Sequence, residues 1–392
     1  MITTIGGRIQ PYAWGSTTAI PELLGRTPSG EPQAELWLGA HPLAPSDLDG
    51  TPLDQAVSRD AVGLVGQRSV ERFGPRLPYL TKIIAAAQPL SLQAHPSREQ
   101  AEAGFAREQQ AGVALDAANR TYKDDWPKPE MICALGEFHA LCGFRDPVET
   151  YAMFSTLGVD QVLDVVEPLR GGGPEAVQKA FARLLYAEHP EMLVSVVITL
   201  CQGLVGRDDA LGSFARTAVG LGEHYPTDPG VLAGLMMNKI TLQENEAMFL
   251  PAGNLHAYLD GTGVEVMANS DNVLRGGLTP KFVDRDELLD ILDFTPGQPD
   301  LVVAEEEQTG VFRYRTPAPE FAVWRLAPHG GTVTLPADGS GRIVLVTDGE
   351  VALGSGLRKT KLSRGQAAFV TAGETGVGVK GSGTAFVSAP GV

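Results

Sequence analysis

Apolar and polar positions alternate over short runs at both ends of the chain, whereas its middle follows a helical spacing. Up to about residue 145, runs such as AELWLGAHP and LPYLTKII alternate and are broken by Pro and Gly, which predicts short β-strands. From about residue 146, apolar residues recur every three or four positions, as in PEAVQKAFARLLYAEHPEMLV, which predicts several short helices. The alternation returns near residue 237 and continues to the C-terminus.

These patterns predict a mainly β protein with a helical insertion. We expect a β domain formed by residues 1–145 and 236–300, a helical insertion at 146–235, and a C-terminal β domain at 301–392. Turn residues separate the β runs roughly every ten residues, as in sandwiches and barrels. The length of 392 residues fits this division, because single cores stop growing at smaller sizes.

Two local signals predict particular elements within the β segments. The run SREQAEAGFAREQQAG carries Ser97 as an N-cap, Gln100 three residues later and Gly112 as a stop, which predicts one helix within the first β segment. In the C-terminal segment, RIVLVTDGEVALG predicts a hairpin with its turn at Asp348 and Gly349.

A weak internal repeat links the two β segments. LQENEAMFLPAG, residues 242–253, and LSRGQAAFVTAG, residues 362–373, share a polar turn, an apolar strand and an exit of small residues. We interpret each copy as part of a jelly roll. The second copy has no histidine after its exit, so we predict that it binds no metal.

Composition narrows the possible functions. The formal net charge is −16 and no basic run occurs, which disfavours nucleic acid and anionic membranes as partners. Three cysteines without C-x-x-C spacing favour buried free thiols in a reducing cytoplasm over disulfides or a cysteine zinc site. The N-terminus has no signal-peptide pattern, and the apolar run MLVSVVITLCQGLV is too short to cross a bilayer. We therefore expect a cytoplasmic protein.

Four separate positions carry ligand-type side chains. PAGNLHAY has the Pro-x-Gly-x-x-His form of the second half of the cupin motif, in which His256 begins a strand after a tight turn. In LSLQAHPS, Gln93 and His95 point the same way from a strand, and Glu130 begins the apolar run that follows WPKP. Each residue alone could belong to a plain polar core, and Gln93 could pair with backbone. Together they favour zinc or a related divalent ion with open positions.

A group of cations lies beside these ligand segments. Arg275 precedes two glycines and Lys281 follows shortly after, while Lys82 and Lys128 lie in the other β segments. An arginine on a Gly-Gly loop could stabilise an oxyanion, since glycine lets backbone approach a ligand closely. The alternative for each cation is a surface salt bridge.

Over almost its whole length the chain resembles the type I mannose-6-phosphate isomerases. The resemblance rests on QPYAWGS, AELWLGAHP, LPYLTKIIAAAQPLSLQAHPS, YKDDWPKPEM, MNKITLQENEAMFLPAGNLHAY and GVEVMANSDNVLRGGLTPK, in this order. It implies cupin-type jelly-roll barrels, one binding metal and a degenerate C-terminal one, with an all-α domain between. It also implies a monomeric enzyme with one zinc ion per chain, which interconverts mannose 6-phosphate and fructose 6-phosphate through an enediol.

The resemblance also assigns roles to residues, position by position. The implied zinc ligands are Gln93, His95, Glu130 and His256. Arg275 corresponds to the catalytic arginine, and Glu265, Asp271 or a metal-bound water could shuttle the proton. The remaining matches are phosphate contacts at Lys82, Ser91 and Lys281, a polar pocket residue at Lys128, and the N-terminal pocket edge at Trp14 and His41.

One departure from the family concerns the opening of the sugar ring. The family commonly has a histidine before Lys-Pro-Glu, whereas this chain has Pro127, preceded by Trp126. That histidine is a candidate for helping to open the sugar ring, so in this chain His41 or Lys128 could open the ring instead. Two other functions remain open: a non-catalytic sugar-phosphate sensor that keeps the fold, and a cupin oxygenase in which two histidines and a carboxylate hold non-haem iron.

Overall fold

The structure is a computed structural model that describes residues 1–355 and 358–392. Its first 145 residues alternate strands and short helices. The strands are β1 (Ile2–Ile5), β2 (Arg8–Gln10), β3 (Glu35–Gly39), β4 (Asp47–Leu48), β5 (Thr51–Pro52), β6 (Tyr79–Ala86), β7 (Leu92–Ala94), β8 (Glu130–Ala134) and β9 (Phe138–Phe144). The helices are α1 (Ala19–Leu23), α2 (Leu53–Arg59), α3 (Ala61–Val65), α4 (Gln67–Phe73) and α5 (Arg98–Gln110).

The middle of the chain is helical, as its apolar spacing predicts. It contains α6 (Pro147–Leu157), α7 (Asp160–Val166), a 3-10 turn (Glu167–Gly171), α8 (Gly173–Leu185), α9 (Pro190–Gln202), α10 (Ala210–His224) and α11 (Gly230–Leu235). The apolar faces of these helices share one core with strand residues such as Leu141 and Leu255. The helical region is therefore packed directly against the neighbouring sheet.

Strands dominate the rest of the chain. Those up to residue 302 are β10 (Met237–Leu242), β11 (Ala247–Leu250), β12 (His256–Ala268), β13 (Leu274–Gly277) and β14 (Leu301–Val302), with α12 (Arg285–Ile291) between the last two. The C-terminal strands are β15 (Glu305–Gln308), β16 (Val311–Tyr314), β17 (Ala322–Leu326), β18 (Thr332–Thr334), β19 (Arg342–Asp348), β20 (Glu350–Ser355), β21 (Arg358–Ser363), β22 (Ala367–Val370), β23 (Gly378–Gly381) and β24 (Thr384–Ala389).

An antiparallel sheet of eleven strands holds six of the thirteen predicted site residues, and β12 is its central strand. The first part of β12 pairs with β7 and β9, and its second part pairs with β6 and β8. The register shifts by a bulge between Tyr258 and Asp260. Gly261 follows with φ +120°, where an added Cβ would lie 2.7 Å from the Phe138 ring. A bulge increases local twist, so this strand bends from one set of partners to the other.

The C-terminal strands form a seven-stranded and a four-stranded sheet. β1 pairs with β22 in the seven-stranded sheet, so the N-terminus is part of this region. The predicted hairpin at Asp348 and Gly349 is wrong, because β19 pairs with β22 and β24 whereas β20 pairs with β21 and β23. Gly349 and Gly383 face each other at a corner of the two sheets. There the backbone passes from one sheet to the other twice, between β19 and β20 and between β23 and β24. A Cβ on Gly349 would lie 2.8 Å from the Gly383 Cα.

Helices near the N-terminus are more numerous than the sequence predicts. The predicted helix exists as α5, with the Ser97–Gln100 capping box in place. The four further helices α1–α4 have only five to seven residues each, too few for a clear periodic signal. They form because residues such as Ile20, Leu53 and Val57 pack into the core beneath the sheets.

The apolar run MLVSVVITLCQGLV lies largely in α9, which buries Leu193, Val194 and Val197. No single described helix is long and apolar enough to cross a membrane. Only α8 and α9 taken together reach that length and composition, and the pair is bent by 109°.

Candidate metal centre and active site

Two rows of side chains cross the eleven-stranded sheet and meet on β12. In the first row, His256 lies opposite Gln93 on β7, and Gln93 lies opposite Arg275 on β13. In the second row, Glu265 lies opposite Lys82 on β6, and Lys82 lies opposite Trp37 on β3. An odd separation along a strand normally places side chains on opposite faces. The bulge after Tyr258 removes one step of alternation, so His256 and Glu265 both line the same cavity.

Glu130 lies between two histidines that are far apart in sequence. His95 Nε2 is 3.3 Å from Glu130 Oε1, and His256 Nε2 is 3.5 Å from Glu130 Oε2. All three side chains are at most 5% exposed, and their ligand-type atoms lie within 4.8 Å of one another. The sequence prediction therefore holds for these three residues as a spatial cluster.

Backbone contacts determine which ring nitrogen each histidine presents to Glu130. His95 Nδ1 lies 2.8 Å from the carbonyl oxygen of Asn272, and His256 Nδ1 lies 3.1 Å from that of Asn254. A carbonyl accepts, so each Nδ1 carries the proton and each Nε2 presents a lone pair. Hydrogen bonds of this kind orient metal-binding histidines in proteins.

The cluster has the properties of a metal site. The buried Nε2 of His95 makes no hydrogen bond with any described residue. Burial lowers the pKa of His95 to about 4, so the ring is neutral at pH 7, although Glu130 acts in the opposite direction. Burial alone would favour protonation of Glu130, but the charge of Lys128 holds its pKa well below the usual range. Two imidazoles and a carboxylate are a donor set that suits zinc.

Gln93 lies at the edge of this cluster. It is half-buried on β7, opposite His256, and its side-chain Nε2 donates a hydrogen bond of 3.1 Å to Ser91 Oγ. The contact orients the amide, and it can form because side chains two residues apart on an extended chain share one face.

Lys82 is held by carboxylates in the second row. Its Nζ lies 3.2 Å from Glu265 Oε2 and 3.5 Å from Glu35 Oε2, and it lies over the Trp37 ring. Burial opposes the charged amine, but the carboxylates of Glu35 and Glu265 raise the pKa of Lys82 well above its usual range. Burial also raises the pKa of Glu265, with Lys82 acting in the opposite direction. Such a network of ion pairs holds the Lys82 amine and the Glu265 carboxylate, both groups able to transfer protons, next to each other.

Sequence analysis missed two members of this network. Tyr258 donates a hydrogen bond of 2.8 Å to Glu265 Oε1, and Glu35 accepts one from the indole of Trp37. Each had a usable signal, because Tyr258 follows His256 by two residues and Glu35 precedes Trp37 by two. Strand periodicity places such pairs on one face.

The network opens into two adjoining cavities of about 520 and 70 Å³. All the predicted site residues except His95 line them, and His95 lies behind Glu130. The larger cavity is lined by Trp14, His41, Lys82, Ser91, Gln93, Lys128, Asp271, Arg275 and Lys281. The smaller one is lined by Glu130, His256 and Glu265, and shares Lys82, Ser91, Gln93 and Lys128 with the larger one.

His41 and Asp271 form a pair in the wall of the larger cavity. His41 Nε2 lies 3.2 Å from Asp271 Oδ1, and the backbone N–H of Leu43 donates to His41 Nδ1. In the neutral ring Nε2 therefore carries the proton. Burial opposes ionisation of Asp271, but the hydrogen bond from His41 lowers its pKa.

An acidic residue outside the predicted set supports the loop of Asp271. Asp124 accepts hydrogen bonds from Ser270 Oγ at 2.7 Å and from the backbone N–H of Asp271 at 2.8 Å. Asn272, whose carbonyl holds His95, donates its side-chain amide to the backbone of Asp124 and Trp126. No pattern in the sequence pointed to Asp124.

The cations fall into two settings. Lys128 Nζ lies 3.1 Å from Glu130 Oε1, so it is paired within the metal cluster. Arg275 and Lys281 form no ion pair with a described residue, and both line the larger cavity. Burial lowers the pKa of both, and the charge of Arg275 lowers that of Lys281 further. This part of the cavity therefore suits an anionic ligand.

The sheet and the site together define a metal-dependent enzyme with a polar cavity for an anionic small molecule. A family model described as phosphomannose isomerase type I, catalytic domain, matches residues 2–147. The mannose-6-phosphate isomerases of Shigella flexneri and Escherichia coli are each 37% identical to this chain over 393 residues, covering 96% of both partners. A crystal structure of mannose 6-phosphate isomerase from Salmonella typhimurium, bound to fructose 6-phosphate and zinc, superimposes with a TM-score of 0.89. It has 32% identity and covers 100% of both chains.

The chain belongs to the type I phosphomannose isomerase family. The family predicted from sequence segments is thus confirmed.

Proposed function

We propose that this protein is a zinc-dependent isomerase that interconverts mannose 6-phosphate and fructose 6-phosphate. The observation that carries the proposal is the buried His95–Glu130–His256 cluster beside the smaller cavity, which adjoins the larger cavity that Arg275 and Lys281 line. The relatives bear this activity in their names, and the Salmonella structure holds both fructose 6-phosphate and zinc. Here the smaller cavity offers a metal site, and the larger cavity beside it offers the cations Arg275 and Lys281.

The residues proposed to hold zinc are His95, Glu130, His256 and Gln93. The two Nε2 lone pairs and the Glu130 carboxylate support the first three, and the register of Gln93 against His256 supports the fourth. When bound, zinc supplies a Lewis acid that polarises the sugar oxygens beside the reacting carbons.

Opening of the sugar ring requires a proton donor and acceptor at the ring oxygen and the anomeric hydroxyl. His41 and Asp271 are suited to this step, because they are paired and line the substrate cavity. The guanidinium groups of Arg76 and Arg98 lie over the Trp126 ring, and Pro127 offers no titratable group where the family commonly has histidine. We therefore assign ring opening to the His41–Asp271 pair.

Isomerisation requires transfer of a proton between carbons 1 and 2 through an enediol. Glu265 is the proposed base, because burial raises its pKa and it contacts both Lys82 and Tyr258. It removes the proton from one carbon and returns it to the neighbouring carbon. Lys82 and Tyr258 hold the carboxylate in place during the transfer.

Developing negative charge on the enediolate oxygens needs cationic partners. Arg275 lines the cavity without a carboxylate partner among the described residues, so its charge is available to the reacting sugar. Lys128, paired with Glu130, is placed to share this task at the metal end.

The phosphate is proposed to bind at Lys281 and Ser91, with Trp14 at the edge of the cavity. The phosphate contact of Lys82 stays a prediction, since its two carboxylate neighbours favour a role beside Glu265. Binding of the phosphate away from the reacting carbons supplies free energy that can position them.

The direct test is an assay of purified protein with mannose 6-phosphate, following fructose 6-phosphate by NMR or a coupled enzyme. We expect turnover at rates ordinary for metabolic enzymes, about 1–10³ s⁻¹. Binding without conversion would instead identify the sensor considered above. Oxygen consumption with an iron-loaded site would identify the oxygenase.

The finer architecture is part of the same proposal. The bent β12 and the corner between β19 and β20 support two jelly-roll barrels of the cupin type, the second without metal. We retain the predicted division into three parts: a β domain of residues 1–145 and 236–300, an all-α domain of residues 146–235, and a C-terminal β domain of residues 301–392. Strand β1 pairs with β22 and so joins the sheet of the C-terminal domain. Three buried free cysteines support a cytoplasmic location, and the monomeric state stays a prediction.

A further inference from the structure

The helical region contacts the cation-bearing wall of the cavity through the short linker between α10 and α11. Tyr225 in this linker lines the cavity, and its hydroxyl donates a hydrogen bond of 2.9 Å to the carbonyl of Pro89, just before β7. Asp228 contacts the opposite side, where the chain leaves β13. The linker thus reaches both segments that flank the β7–β13 strand pair.

Asp228 joins two backbone segments with its two carboxylate oxygens. Oδ1 accepts a hydrogen bond of 2.7 Å from the N–H of Gly230, at the start of α11. Oδ2 accepts one of 3.0 Å from the N–H of Thr279, two residues beyond the end of β13. Both are charge-assisted hydrogen bonds, which are stronger than neutral ones.

The backbones at this junction are too close to admit side chains. A Cβ on Gly230 would lie 2.4 Å from the Leu278 nitrogen, and one on Gly277 would lie 2.6 Å from the Gly230 Cα. Leu278 has φ +54°, a conformation that costs free energy for a residue with a side chain and persists only when its surroundings enforce it. The contact between linker and loop supplies that constraint.

Beyond β13 the loop depends on few contacts. The last pairing of β13 is Gly277 opposite Leu92. Among the described residues, the backbone of 279–281 is held by the hydrogen bond to Asp228 and by one from the Lys281 N–H to Thr279 Oγ1, 3.1 Å long. Arg275 is fixed by strand pairing, whereas Lys281 is fixed through Thr279.

We propose that Asp228 is a positioning residue. Through it, the helical region determines how tightly the site binds the phosphate group of the substrate. Asp228 acts through Thr279 on Lys281, and leaves Arg275 and the metal cluster in place. The inference rests on the proposed function, and within it gives a role in substrate binding to a region that carries no catalytic group.

Replacement of Asp228 by asparagine tests the inference with little change in shape. Asparagine has one acceptor oxygen, so it can serve only one of the two N–H groups and faces the other with its own NH₂. We expect KM for mannose 6-phosphate to rise about tenfold and kcat to change less than about threefold, because binding is lost and the reacting groups stay in place. The dissociation constant of inorganic phosphate, measured by calorimetry, rises by a similar factor.

A matched control is Asp209→Asn. Asp209 caps α10 in the same helical region through the Gly212 N–H, at 2.9 Å, and lies away from the cavity. This variant should leave KM and phosphate binding unchanged. Thr279→Ala, which removes the acceptor for the Lys281 N–H, should raise KM by itself and tests the same path if Asp228→Asn does not fold.

The outcomes separate the two proposals. An active wild type with unchanged KM and phosphate affinity in folded Asp228→Asn overturns the role of Asp228. If that variant does not fold, unchanged values in Thr279→Ala overturn it. A wild type without isomerase activity overturns the proposed function, while the phosphate titration still measures the contact. A fall in kcat at constant KM also contradicts the inference, because it would place the effect on the reacting groups.

Discussion

The two β regions of this protein share a strand-turn-strand unit and differ in the side chains that follow this unit along the chain. In the first region, LQENEAMFLPAG ends β10 and forms β11, and His256 follows at the start of β12. In the C-terminal region, LSRGQAAFVTAG ends β21 and forms β22, and no histidine follows. The repeat seen in the sequence is therefore a repeat of strands, and of the two copies the first is the one that a histidine follows.

Buried side chains show the same contrast. The first region buries charged groups such as Lys82, Glu130 and Glu265, which satisfy one another through ion pairs. The core of the C-terminal region is built mainly from apolar residues such as Val344 and Leu353, and its buried Arg342 pairs with Asp338. Burying charge costs free energy unless it is paired, whereas burying apolar surface stabilises the fold. One region thus carries reactivity, and the other contributes mainly stability.

The largest expected effect follows from removing a ligand in the first region. His256→Ala should abolish zinc binding at stoichiometric metal and lower turnover by at least about 10³-fold, because the donor set is incomplete. Metal analysis and the isomerase assay measure both. His139→Ala on neighbouring β9 is the control, since the hydrogen bonds of its ring among the described residues are with Thr241 and Glu137, away from the metal cluster. Full turnover in His256→Ala would remove this residue from the site.

Arg275→Ala is the next largest change. We expect kcat to fall about 10²–10³-fold with a much smaller rise in KM, because the arginine acts on charge that develops during the reaction. Steady-state kinetics provide the measurement. Arg315→Ala in the C-terminal region, whose side chain pairs with Glu305 at the surface, should leave both constants unchanged. A rise in KM alone would assign Arg275 to substrate binding.

A core substitution in the C-terminal region should separate stability from chemistry. Leu353→Ala removes a fully buried side chain and should lower the free energy of unfolding by about 2–5 kcal/mol, with zinc content and kcat unchanged. Leu250→Ala, equally buried on β11 and opposite Glu130, should lose stability and zinc affinity together. Urea unfolding and metal titration distinguish the two. If Leu353→Ala and Leu250→Ala lost zinc affinity equally, the division between a reactive first region and a stabilising C-terminal region would be contradicted.

The smallest change removes one hydroxyl group. Tyr258→Phe deletes the hydrogen bond to Glu265 and should lower kcat about tenfold, the effect of one hydrogen bond to a charged group. Zinc content should stay at one per chain. The measurement is kcat at saturating substrate beside the zinc stoichiometry of the same sample. An unchanged kcat would show that Lys82 alone holds the carboxylate.

Much of this arrangement could be predicted from short patterns. The alternating runs, the helical middle and the capping box at Ser97 depend on local sequence and exist as predicted. The positions of His95, Glu130 and His256 were proposed from ligand type and strand periodicity, and the structure brings them together.

Features that depend on distant contacts could not be predicted. The bulge after Tyr258 reverses the strand parity that places His256 and Glu265, and only the packing of β12 against two sets of strands reveals it. The corner at Gly349 looked like a hairpin because its dipeptide fits one, while the pairing partners lie elsewhere in the chain. Asp124 and Asp228 act through hydrogen bonds to segments far away in sequence.

The most direct test of the account is a zinc titration of protein stripped of metal by a chelator. The buried His95–Glu130–His256 cluster predicts that isomerase activity on mannose 6-phosphate is absent without metal. Activity should then rise linearly and stop at one zinc ion per chain. Metal-free protein that converts the sugar at the full rate would contradict the central claim.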